Sequence, residues 1–206
     1  MAQDNNYSDT APEPDSSDAA ANDAREIDTA DGNNIEITLA TTVWQTDLVD
    51  DFANFVAQSL DYMQDFFDLP AVSVSVLLDD DARIRQINRD FRDQDKPTNV
   101  LSFPASLDGE DDEDDEDDIV FLGDIAIAFE TVQAEAEAAN IRLMDHLSHL
   151  FVHGVLHLLG YDHEDEIEAD EMEALEVAIL GTFSIASPYA DSVPVAASTS
   201  AMSDGF

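Results

Sequence analysis

Three of the chain's five histidines fall within the stretch HGVLHLLGYDH, residues 153–163. A spacing of four puts His153 and His157 on the same face of a helix. Gly160 then supplies a left-handed position that ends the helix. Tyr161 and Asp162 turn the chain, so His163 returns to face the other two rings. A tripod of neutral imidazoles suits one Zn2+ ion and leaves a fourth position open, which is the catalytic rather than the structural arrangement. Nickel, cobalt or copper accept the same nitrogens, so another divalent transition metal is compatible. His146 and His149 share the face of His153 and His157; each is either a satisfied structural residue or a partner orienting a ligand, and His149 is the candidate for the latter role. The spacing matches that of metzincin proteases, in which a glutamate general base follows the first histidine. Here that position is Gly154, which cannot take a proton from water. The tripod is present without the protease base.

Five of the seven basic residues lie within residues 83–96: Arg83, Arg85, Arg89, Arg92 and Lys96. On a helix, Arg85, Arg89 and Arg92 form one stripe opposite Ile84, Ile87 and Phe91. Arginine's planar fork matches phosphate oxygens, which makes Arg85, Arg89 and Lys96 candidates for binding an anionic substrate. The competing reading is a helix paired with its own acids Asp90, Asp93 and Asp95. DKPTNVLSFP (95–104) follows, a proline-led turn into a strand that sets Arg92 and Lys96 against a sheet. Thr98 and Asn99 offer neutral hydrogen-bonding groups there. Zinc-type ligands with an arginine stripe point to hydrolysis of a phosphodiester, with an arginine balancing the developing charge.

The elements that must position these groups follow from periodicity. Alternating apolar residues predict strands over 34–40, 71–78, 99–104 and 119–129, the last with a bulge at Gly123. A long helix is expected after an Asp47 N-cap, with Leu48, Phe52, Phe55, Val56, Met63 and Phe66 inward. Further helices are expected over 82–91, with Ile84, Ile87 and Phe91 inward, and then over 131–140, 142–159 and 165–180. The expected fold is α+β, a single domain over 35–185 with a mixed sheet of about four strands packed with helices. The metal site sits at a helix end and the loop after it. Residues 1–34 read as a disordered acidic tail, 108–118 (DGEDDEDDEDD) as an acidic loop insert and 186–206 as a loose C-terminal tail.

The formal net charge is -41, from 48 acids and 7 bases. Outside 1–34 and 108–118 there remain 29 acids against six bases, so the charge is neither a tail nor a block. No EF-hand pattern accounts for it. Such self-repulsion destabilises a compact chain. Molar salt shortens the Debye length to about 3 Å, so the composition favours a salt-adapted host. The sequence has no cysteine and no apolar run long enough to span a membrane, and no secretory signal is expected, since MAQDNNYSDT lacks a basic start and an apolar stretch. A cytoplasmic location is expected.

HGVLHLLGYDHE, FRDQDKPTNVLSFP and FLGDIAIAFE together resemble the YbeY family of bacterial endoribonucleases over about residues 70–180. The resemblance implies zinc held by His153, His157 and His163. It places Arg92, just before the KPT block, as the catalytic arginine, and Asp124 as a residue supporting the metal ligands or contacting the ribosome. It further implies a metal-dependent, single-strand-specific endoribonuclease acting in ribosomal RNA processing, notably small-subunit 3′-end maturation, and in ribosome quality control. The partners implied are RNA and the small ribosomal subunit, with neither membrane nor DNA. The acidic insert and long N-terminal tail depart from the family pattern. Two alternatives remain at this point: a non-catalytic ribosome-assembly factor whose metal staples helix to loop, and a hydrolase of a non-RNA substrate.

Overall fold

Val72, Val74, Val76 and Leu78 alternate along one strand and are all buried on one face. That strand is the middle of the sheet. The computed structural model describes residues 23–105 and 119–189. Its elements, in chain order, are β1 (Asp23–Asp28), β2 (Asn34–Leu39), α1 (Thr46–Phe67), β3 (Val72–Asp79), α2 (Asp81–Arg92), β4 (Val100–Pro104), β5 (Val120–Ala128), α3 (Phe129–Ala139), α4 (Leu143–Leu158) and α5 (Glu166–Thr182). The sheet order is β1-β2-β3-β5-β4. β2, β3 and β5 run parallel, while β1 and β4 close the two edges antiparallel. The fold is therefore α+β with a mixed sheet, as expected, but with five strands.

The additional strand comes from residues expected to be a disordered tail. β1 pairs with β2 along its whole length, from Asp23 opposite Leu39 to Asp28 opposite Asn34. Ile27 packs against the core and Arg25 pairs with Asp50 of α1. At the β1–β2 turn Asn33 is buried, donating to Asp61 Oδ1 (2.8 Å) and Gln64 Oε1 (2.7 Å) of α1, while its own Oδ1 accepts from Val72 N (2.8 Å). The expected acidic insert lies outside the described residues, as does the tail beyond Tyr189.

α1 begins two residues earlier than expected. Gln45 is its N-cap, without a side-chain bond, and Asp47 lies in the first turn, where its charge suits the helix dipole. Phe52, Phe55, Val56 and Met63 are buried, whereas Phe66 is exposed. α2 is capped by Asp80, which accepts from Arg83 N (2.8 Å). It packs on the opposite sheet face from α1 and α4, through Ile84 against Leu101, Ala126 and Ala128. Phe91, expected inward, is 72% exposed. It overhangs the end of the contact and meets Phe103 edge-on instead, at 5.3 Å between centroids.

α4 is the helix that carries the histidines, and its apolar side is buried through Leu147, Leu150, Phe151, Val155 and Leu158. Gly154 lets it approach the sheet closely. A Cβ there would lie 2.9 Å from Ile125 Cδ1 and 3.2 Å from Ser102 Oγ. The position of a metzincin base is thus filled by the sheet itself. Gly123 forms the expected irregularity: the β3–β5 register slips beside it, its φ is +138°, and an added Cβ would meet Phe103 O at 2.2 Å. Among the described residues, no helix is long and apolar enough to cross a membrane.

Candidate metal centre and adjoining cleft

α4 ends where the tripod needs it to. Gly160 adopts φ +90°, with Tyr161 N donating to Leu156 O (3.0 Å) and Gly160 N to His157 O (3.0 Å). The turn swings His163 back, to ring-centroid distances of 5.6 Å from His153 and 5.1 Å from His157. One ligand atom from each of the three histidines lies within 4.8 Å of the other two.

Hydrogen bonding sets the direction of two of these rings. His157 Nδ1 donates to Tyr161 O (2.9 Å). His153 Nδ1 faces Glu176 Oε1 at 2.8 Å, and an ionised carboxylate only accepts, so that nitrogen carries the proton. Both Nε2 atoms are then bare acceptors, and they stand 3.1 Å apart. That arrangement is repulsive unless something positive lies between them. A proton is disfavoured, because burial first and then His153 hold His157 below its ordinary value. A divalent transition ion fits a donor set of neutral imidazoles. Glu176 meets His153 on the side away from Nε2, so it does not close the tripod.

The histidines share a cleft of about 470 Å³ with Arg92, Thr98, Asn99 and Ser102. The guanidinium of Arg92 is anchored by one bond, Nη2 to Ser102 O (2.9 Å), and lies 5.8 Å from the Phe103 ring centroid. Among the described residues its remaining donors have no partner. The other cations of the stripe are elsewhere. Arg85 forks onto Asp95 (2.8 and 2.9 Å), which draws the Asp95 carboxyl below its ordinary value, and Arg89 pairs with Asp90 (3.2 Å). Lys96 does not line the cleft; its carbonyl accepts from Asn88 Nδ2 (2.8 Å). Asp124 does not support the histidines. Its neighbour Ile125 faces α4, so strand alternation turns Asp124 to the opposite sheet face, where it is exposed beside Phe91 and Phe103.

His149 is linked to His153 through a residue that periodicity concealed. Glu176 on α5 is 1% exposed and bridges His149 Nε2 (to Oε2, 2.8 Å) and His153 Nδ1. The hydroxyl of Tyr189 donates to the same Oε2. Burial pushes the Glu176 carboxyl up, but the bonds from His149, His153 and Tyr189 outweigh it and hold the group at about 2. The signal in the sequence was a glutamate four residues after Met172 and three before Ile179, on the apolar stripe of its helix. His146 instead bonds Glu135 (2.8 Å), which also accepts from Asn99 Nδ2 (3.0 Å) at the cleft wall.

A family described as Endoribonuclease YbeY matches residues 38–184. A protein named Endoribonuclease YbeY from Rhodospirillum rubrum is 58% identical over 120 residues, which span 58% of this chain and 60% of that one. The protein of that name from Paramagnetospirillum magneticum is 54% identical over 126 residues, covering 60% of this chain and 76% of its own. That from Agrobacterium fabrum is 42% identical over 175 residues, covering 78% of this chain and 97% of its own. With the matched region containing α1 through α5, the histidine tripod and Arg92, the chain belongs to the Endoribonuclease YbeY family.

Proposed function

We propose that this chain is a metal-dependent endoribonuclease, specific for single-stranded RNA, that acts in the cytoplasm on ribosomal RNA at the small ribosomal subunit, in 3′-end maturation and quality control. The observation that carries the reading is the meeting, in one cleft, of three convergent imidazoles and an arginine that makes one hydrogen bond among the described residues. The family membership and the names of its relatives support RNA as the substrate. His153, His157 and His163 would hold one Zn2+ ion, or another divalent transition metal, which when bound supplies Lewis acidity to a phosphoryl oxygen and to water. Arg92 places its fork on the scissile phosphate and offsets the charge that develops there. Thr98 and Asn99 hold sugar or phosphate oxygens at the cleft wall. Arg85, Arg89 and Lys96, outside the cleft, meet phosphates flanking the cut as the strand leaves along α2.

The test is cleavage of a small-subunit rRNA 3′ precursor by protein stripped of metal and by the same protein reloaded with zinc. Cutting restored by zinc supports the reading. Cutting that is equal in both preparations contradicts it, and folded, zinc-loaded protein that never cuts favours a ribosome-assembly factor with a structural ion.

A further inference from the structure

Asp79 and Glu176 are the carboxylates buried among the described residues, and Glu176 has no lysine or arginine beside it. A buried charge without a cationic partner is costly. Three donors offset part of that cost: His149 Nε2, His153 Nδ1 and the Tyr189 hydroxyl. Both carboxylate oxygens are engaged, so Glu176 cannot rotate without losing a bond. Burial and the adjacent carboxylate push the Tyr189 hydroxyl well above its ordinary value, so it remains a donor. Tyr189 lies past residue 184, where the family match ends.

We propose that Glu176, clamped by His149 and Tyr189, is the positioning residue of the metal centre: it holds His153 as the Nδ1–H tautomer, aims Nε2 at the ion, and places one negative charge a ring's width from it. This rests on reading the tripod as a divalent-metal site. A carboxylate behind a ligating imidazole fixes the ring's orientation and raises the basicity of its other nitrogen. Here it also lowers the net charge of ion plus ligands, which suits a centre that must release an anionic product. Tyr189 thereby makes the segment after α5 a part of the site rather than an appendage.

The test uses full-length protein and Co2+ as probe, with affinity measured by chelator competition and ligand geometry by the cobalt d–d absorption bands. Glu176→Gln keeps the size and an acceptor but removes the charge. The expected result is a fold close to wild type by circular dichroism, a loss of about 10- to 100-fold in cobalt affinity, and shifted bands. Tyr189→Phe, which leaves Oε2 one donor short, is expected to weaken cobalt binding in the same direction by a smaller factor. A purely structural bridge between α4 and α5 would lower the melting temperature and leave the bands unmoved; that result overturns the proposal. If Glu176→Gln fails to fold, Tyr189→Phe decides: weakened cobalt binding supports the proposal and unchanged binding overturns it. Wild-type protein that takes up no cobalt overturns the metal-centre reading together with this inference, whereas wild-type uptake matched by both variants overturns this inference alone.

Discussion

Arg92 differs from its neighbours on α2 in what holds it. Arg85 and Arg89 are engaged by exposed carboxylates, and solvent screening leaves such pairings weak. Arg92 is engaged by a backbone carbonyl of β4 and backed by an aromatic ring, and among the described residues no ion pair ties it down. Arg92→Ala is expected to lower the cleavage rate by about 10²–10³-fold, the scale for removing one charge-stabilising donor, while zinc content stays at the wild-type level. Arg92→Lys should restore little, since a point charge lacks the two-pronged geometry. By contrast, Arg89→Ala should leave the maximal rate intact and reduce the salt slope of RNA binding by about one unit, the signature of a lost phosphate contact. Single-turnover cleavage and binding titrations across a salt series separate these outcomes. Equal effects at positions 89 and 92 would contradict the division of roles.

Two elements, α4 and the β4–β5 pair, fix the site. β4 presents Ser102 O to Arg92, and its pairing with β5 depends on Gly123, where a Cβ would strike Phe103 O. Gly123→Ala should therefore cost several kcal/mol, from overpacking of about 1–3 kcal/mol and strain of about the same size, and should reduce cleavage as Arg92 loses its anchor. Gly181 in α5 has open space around it, and Gly181→Ala should stabilise by up to about 1 kcal/mol through helix propensity. Urea denaturation of the two variants measures both; a mild effect at position 123 would contradict the packing account. Much of this frame was legible in the sequence, because β3, α1 and α4 have strong periods of two or of about 3.6 and Gly160 marks a helix end. β1 was not, because DAREID carries one large apolar side chain and is held by backbone pairing to β2, which leaves no pattern. Phe91 misled because α2 covers only part of its sheet face. The histidine tripod was legible from local spacing; spacing alone did not separate Arg92 from Arg85 and Arg89, which only the family resemblance did, and Glu176 depends on the docking of α5 against α4. Contacts between distant elements leave little trace in either element's own period.

At the scale of the whole molecule, a net charge of -41 opposes both folding and the approach of a polyanion. Screening relieves the first effect and the second together, though it also weakens each phosphate contact. Raising KCl from about 0.1 M to about 2 M shrinks the Debye length from about 10 Å to below 3 Å, so the melting temperature should rise steadily over that range. A flat or falling melting temperature would remove the case for a salt-adapted host and leave the acidic surface without a physical role. The proposed function depends on His153, His157 and His163 sharing a single ion. X-ray absorption at the zinc edge of the fully loaded protein tests it most directly. The expected spectrum shows one zinc per chain, with three imidazole nitrogens at about 2.0–2.1 Å and one further light atom from solvent. Two imidazoles or fewer, or four side-chain ligands closing the shell, would contradict it.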